Sequence, residues 1–168
     1  MTNLTTILPL TRKTDFHPAR ACDAESLARN VRRQDLLELT ACGYHDISDA
    51  LKNFYRQSIL SYVLYYGGKP AAIWGIVPQN YLGNRACVWL ITSAELPRCA
   101  KTFMRKSRQL LDEALRHYPV LFNWVDSRYA GAIRLIEKLG GSFNGECRYE
   151  NGIKFLFFTF RRKEKWEE

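Results

Sequence analysis

The pattern of apolar and polar positions is sharpest between residues 89 and 141. There an apolar run, a long amphipathic stretch, a second apolar run and a second amphipathic stretch follow one another. Residues 88–91 are β-rich and end at Thr92-Ser93. Phe103, Met104, Ser107, Leu110, Leu111, Ala114 and Leu115 then recur at the spacing of one buried helical face. Pro97 suits a first helical turn, and Pro119 disfavours helix at Tyr118, so the spacing predicts a helix over 97–118. Residues 120–125 read as a buried strand. Residues 130–139 read as a second helix, with Ile133, Ile136 and Leu139 apolar and Gly140 as C-cap. Two strands joined through a helix need a crossover, which predicts parallel neighbours.

The flanks complete the pattern. Residues 5–11 read as a first strand, with Pro9 placing it near an edge. Asp23 caps a helix running to about residue 33. Asp35, with Glu38 three residues on, resembles a capping box opening a second helix that Gly43 ends. A third helix starts near Ser48 and buries Leu51, Phe54 and Tyr55. Residues 61–66 and 71–77 flank the tight turn Gly67-Gly68, and 87–91 form the next strand. Residues 143–149 and 153–160 flank Asn151-Gly152, a strong hairpin signal. In the last strand Phe155, Phe157 and Thr159 oppose Leu156, Phe158 and Phe160; both faces are apolar, which places it inside the sheet. The predicted order is β–ααα–βββ–α–β–α–ββ: an α/β mixed sheet of six or seven strands flanked by helices, one domain over 1–160 and a charged tail over 161–168.

Charge changes this picture more than composition does. Twenty-five Lys and Arg against 17 Asp and Glu give +8 at neutral pH, which points to acidic partners or surfaces. The five cysteines contain no CxxC pair and read as reduced, mostly buried thiols, with no metal site expected. No leader pattern opens the sequence, and no run reaches the roughly 18 apolar residues of a membrane span.

The order, with WLITS leading into a long helix and NWVDSRYAGAIRLIEKLGG after it, is similar to the GNAT N-acetyltransferase fold. That resemblance implies a turn of type Gln/Arg-x-x-Gly-x-Gly/Ala before the long helix, whose N–H groups hold the pyrophosphate of acetyl-CoA. It also implies a later tyrosine that protonates the leaving thiolate. Counted from Arg98, the glycine positions hold Lys101 and Phe103. Aligned on Ala132, Leu135 and Gly140, the usual asparagine is Tyr129 and the usual tyrosine is Ile136. Residues 87–143 further resemble a GNAT-like family of small phage proteins that includes internal virion protein A of short-tailed phages. The matching features are Trp89, Thr92-Ser93, the basic helix start, Tyr118, Asn123 with Val125, Ile133-Arg134 and Gly140; Asn30, Arg32, Asp35 and Glu38 resemble a segment of longer members. This resemblance implies an assembly protein of a phage particle, with other virion proteins as partners, non-specific nucleic-acid contact, residence in the virion or host cytoplasm, and no cofactor. The alternative it leaves is an active acetyl-CoA-dependent N-acetyltransferase of a protein or small-molecule amine.

Candidate site residues follow from these two readings. Arg98, Lys101, Arg105 and Arg108 fall on one helical stripe, either an anion or partner surface or a solvated face. In an enzyme, Arg98, Lys101 and Thr102 would hold acetyl-CoA. Asn123, Asp126 and Tyr129 lie where open sheets place ligands; Asp126 would be a base and Tyr129 a replacement acid, unless Asp126 or Ser127 caps the next helix. Glu95 could polarise an amine or answer the helix N-terminus. His17, His45 and His117 have no evident partners. Trp74, Trp89 and Trp124 read as core, and Tyr81 and Trp166 as exposed contact residues.

Overall fold

The computed structural model describes residues 13–80 and 83–163. Seven strands form one mixed sheet in the order β1-β2-β3-β4-β5-β7-β6. The strands are β1 (Thr14–Pro18), β2 (Leu60–Tyr66), β3 (Lys69–Pro78), β4 (Arg85–Thr92), β5 (Val120–Asp126), β6 (Ser142–Glu150) and β7 (Ile153–Arg161). The helices are α1 (Ala21–Ala28), α2 (Arg33–Ala41), α3 (Ile47–Gln57), α4 (Ala100–His117), preceded by one tight turn at Leu96–Cys99, and α5 (Ala130–Lys138).

Two layers of helix cover the sheet. Leu27, Leu39 and Leu51 of α1–α3 pack on Val63, Ile73, Trp89 and Ile91. On the other face Leu111 and Ala114 of α4 and Ile136 of α5 pack on Leu121, Val125, Phe158 and Phe160. A third cluster joins Trp74, Leu64 and Phe103, the Phe103 ring stacking on Trp74 at 5.3 Å. Gly75 faces Trp89 in register across β3 and β4. A Cβ at Gly75 would stand 2.2 Å from the Trp89 indole, so only glycine leaves room for the ring to lie there and donate to Ser58 Oγ at 2.9 Å.

Most predicted elements are present within a few residues, and β4 and β5 are parallel. The strand expected over 5–11 lies outside the described residues, as do Tyr81 and Trp166. The first described strand falls on Thr14–Pro18, which the sequence pattern left as a connection. It pairs antiparallel with β2, and Phe16 stacks on Tyr62 at 5.1 Å, a cross-strand contact that a local pattern cannot reveal. Helix α1 opens earlier than expected, with Arg20 at the N-cap and Asp23 three residues in; the Asp23 carboxylate accepts from Arg20 N–H at 2.7 Å. Strand β7 runs on to Arg161, into the stretch assigned to the tail.

Strands β4 and β5 pair only where Arg85, Ala86 and Cys87 meet Val120, Leu121 and Phe122, and beyond that they part. Ser93 N–H donates to Ala71 O, which sets the odd positions of β4 facing β3. By the alternation of an antiparallel ladder, Val88, Leu90 and Thr92 turn their N–H and C=O groups toward the gap.

Candidate functional site

The gap between the diverging strands is a cleft of about 390 Å³. Val88 and Leu90 of β4, Asn123 and Val125 of β5, Met104 of α4 and Ala132 of α5 are among its walls. Asn123 spans the point of divergence: its Nδ2 donates to Val88 O at 2.8 Å, while its Oδ1 accepts from Trp124 N–H at 2.7 Å. Farther along β4, residues linking α1 to α2 take up the freed edge. Arg32 N–H donates to Thr92 O at 3.0 Å, and Val31 bridges Ser93. The remaining stretch of bare edge centres on Leu90.

The same linkage lays α2 over the carboxyl ends of β4 and β5, with Arg32, Asp35 and Glu38 lining the cleft. The helix is inverted relative to an ordinary amphipathic one. Asp35 and Leu39 are buried, whereas Leu36 and Leu37 are exposed. Asp35 Oδ2 accepts from Thr92 N–H at 2.9 Å and from the Thr92 hydroxyl. Burial nonetheless holds its pKa above the ordinary value. Glu38 is partly buried, and among the described residues its side chain receives one hydrogen bond, from Asp126 N–H at a long 3.4 Å. Burial foremost, then the nearby charges of Asp35 and Asp126, push it up to about 7. Tyr129 borders the same space beside Asp35; burial and that negative neighbour push its phenol up to about 12.

The candidates from the sequence are only partly brought together. Asn123 and Tyr129 line the cleft. Asp126 is clamped by Arg128, whose Nη2 lies 2.7 Å and Nε 3.0 Å from its oxygens, and it also accepts Arg128 N–H at 2.9 Å. Burial opposes ionisation there, but these bonds and the guanidinium charge prevail and hold its pKa below the ordinary value. These contacts suit the capping alternative for Asp126: it organises the β5–α5 turn. Glu95 is buried and paired with Arg98 at 2.7 Å, so Arg98 is not an unpaired cation of the stripe. Lys101, Arg105 and Arg108 are exposed on α4 and Thr102 is partly buried. Phe103 turns into the core, 3% exposed, and Ile136 is likewise buried. Arg108 also borders a groove of about 900 Å³ together with Arg116, Lys138, Arg161, Arg162 and Lys163. His17 and His117 have separate carboxylate partners, Asp15 and Glu113. Trp74 and Trp89 are core residues, whereas Trp124 is half-buried with the Arg148 guanidinium 4.6 Å above its ring. Among the described residues no group of three or more His, Cys, Asp or Glu is placed to hold a metal ion, and no helix is long and apolar enough to cross a membrane.

Glu38 lines the cleft, and the sequence did not single it out. Its spacing from Asp35 was legible, but as a helix start. The unusual signal is a turn of helix in which carboxylates face inward and leucines outward, and it becomes readable only once the buried face is known.

A mixed seven-stranded sheet that splits between two parallel central strands, with a helix N-terminus at the mouth of the split, is the GNAT acetyltransferase fold. Solved structures bear this out. A putative acetyltransferase, yncA of Salmonella typhimurium, solved with its cofactor acetyl-CoA, matches with a TM-score of 0.68 at 15% identity, over 93% of this chain and 98% of that one. A ribosomal-protein-alanine N-acetyltransferase of Brucella melitensis matches at 0.66 and 16% identity, over 88% and 99%. An acetyltransferase of the GNAT family from Streptococcus pneumoniae matches at 0.63 and 15%, over 88% and 98%. No protein-family model and no curated protein matches the chain.

Proposed function

We propose that the chain is an acyl-CoA-dependent N-acyltransferase working in the β4–β5 cleft, with acetyl-CoA as the acyl donor. The observation that carries this reading is the cleft itself: an apolar slot between parted parallel strands with bare backbone at Leu90. An extended amide-bearing arm suits such a slot, since it supplies hydrogen bonds to the strand edge and apolar atoms to the walls. Leu96, Pro97 and Ala100 bring the tight turn and the start of α4 to the mouth of the cleft, and a helix start is a setting that favours phosphate. Lys101 stands exposed beside them, and Phe103, at a position where the family has glycine, is buried in the wall of the cleft and stacks on Trp74. The residues present therefore fit the group. Bound acetyl-CoA would supply an activated acyl thioester; the chain's part is to grip the arm along β4, to exclude water with Leu90, Val125 and Met104, and to present an acceptor from the α2 side. Two of the similar solved structures, both from bacteria, are acetyltransferases, one of them named for ribosomal-protein alanine, which supports an amine acceptor.

The test is a thermal-shift titration with acetyl-CoA followed by an acetyl-transfer assay on amines. A ligand that binds only the folded state at a hundredfold excess over its Kd stabilises by about 2.7 kcal/mol. Stabilisation together with transfer is the expected result; neither would reject the reading.

A second reading keeps the fold and drops the chemistry: an assembly module of a phage particle, present in the virion or host cytoplasm, with virion proteins as partners. The observations favouring it are Lys101, Phe103 and Ile136 at positions where the family has glycines and a tyrosine, and the groove that Arg108 and five further cations line with a single carboxylate, Asp112. An acidic partner, protein or nucleic acid, would suit that groove. Loss of particle incorporation on reversing Arg105 and Arg108, in a chain that does not bind acetyl-CoA, would favour it.

A further inference from the structure

The carboxylates at the carboxyl ends of β4 and β5 are not alike in how they are occupied. Asp35 takes the N–H and hydroxyl of Thr92. Asp126 is held by three bonds from the Arg128 side chain and one from its backbone. Glu38 lines the cleft with one long backbone hydrogen bond and, among the described residues, no cation within ion-pair distance. A carboxylate has room for about four hydrogen bonds, so most of its capacity faces the cleft unused.

We infer that Glu38 accepts the proton of an incoming ammonium group, and that the acceptor of this site is a cationic primary amine entering beneath α2. The inference rests on the acyl-transfer reading above. Amine plus thioester gives amide plus thiol, and a nitrogen whose lone pair holds a proton cannot attack. Free amines of the lysine or α-amino type are largely protonated at neutral pH, so one proton must leave first. Glu38 takes it: the N–H bond breaks, its electron pair stays on nitrogen, an O–H bond forms on the carboxyl, and water later receives that proton. The negative charges of Asp35 and Asp126 nearby favour arrival of the cation. Burial, with those same charges, places Glu38 in the range where a base is both ionised and basic enough near neutral pH. The titratable and charged groups around it are Asp35 and Arg32 at the start of α2, Cys42 just past its end, Asp126 at the end of β5 and Tyr129 before α5.

The test uses the full chain in two arms. The first follows the Glu38 side-chain carboxyl by carbon-13 NMR as pH is varied, with Glu38→Gln to assign the signal. A midpoint near 7 is expected; a midpoint between 4 and 5 overturns the inference without any activity measurement. The second compares kcat/KM for wild type and Glu38→Gln against pH, with an alkyl diamine and a peptide bearing a free α-amino group as acceptors. Acetyl-CoA should stabilise both proteins equally, while the variant should lose on the order of 10²–10⁴ in rate and the limb near pH 7. A variant within threefold of wild type overturns the role of Glu38 and leaves the acyl-transfer reading intact. A wild-type chain that neither binds acetyl-CoA nor transfers overturns both.

Discussion

Helices α1 and α2 each turn a carboxylate inward, and the two have opposite fates. Asp23 is fully buried and fully partnered: the Tyr65 hydroxyl donates to it at 2.6 Å, Arg20 N–H at 2.7 Å and Arg20 Nη2 at 3.2 Å. Burial opposes its charge, but these donors outweigh burial and its pKa falls below the ordinary value. Glu38 has one long bond, and burial, with its two acidic neighbours, raises its pKa to about 7. Burial opposes the charge of both carboxylates, so the count of donors is what separates the structural one from the available one. Asp23 ties α1 to β2, and Glu38 faces a cleft.

The contrast is broken most severely at Asp23. Asp23→Ala strands the Tyr65 hydroxyl and two Arg20 donors, so urea unfolding at neutral pH should show a loss of about 2–4 kcal/mol. The pH dependence has the matching sign. A lowered folded pKa gives stability that is present above the unfolded value, about 3.9, and is lost as pH falls through the folded value. Retained stability in the alanine variant would mean that the network contributes little.

Glu38→Gln should act the other way. A folded pKa raised from 4.5 to about 7 means that ionisation costs stability progressively between those pH values. Removing the charge should therefore stabilise by about 2–3 kcal/mol at pH 8 and leave stability at pH 4 nearly unchanged. The same variant would then be more stable and less active, as expected of a strained functional group. Destabilisation at pH 8 would show that the carboxylate has partners that it is not seen to have.

Smaller effects should mark the intermediate cases. Asp126→Asn breaks a pair whose Arg128 partner is more than half exposed, so the loss should be about 1 kcal/mol, seen as a lower unfolding midpoint. Reversing exposed Arg105 and Arg108 should shift stability by less than about 0.5 kcal/mol, checked by circular dichroism melting. A large loss there would mean that the stripe packs against something.

The chain wrote its fold more plainly than its site. Residues 89–141 announce strand, helix, strand and helix because one period dominates each segment, and Asn151-Gly152 announces its hairpin because both residues take positive φ, 49° and 77°. Strand β1 was hidden because its five residues gain their reason from Tyr62 and Trp74, far along the chain. Asp126 and Glu95 looked available because sequence shows charge but not partners; Arg128 and Arg98, two and three residues on, occupy them. Glu38 looked like a cap because its inward direction is set by Arg32 and Val31 docking on the end of β4, a contact across some sixty residues. That Asn123 and Tyr129 would border a cleft was legible because the carboxyl end of a parallel strand is a general location for ligands.

In the reading proposed above, the parting of β4 and β5 holds an acyl-CoA arm against bare backbone. Nitrogen-15 amide shifts of the full chain during titration with acetyl-CoA test it most directly. The largest, saturable changes are expected at Leu90, Ala100 and Ala132, with the same pattern in Glu38→Gln. Changes confined to Lys101, Arg105 and Arg108 on the outer face of α4, or no saturable change at all, would contradict it.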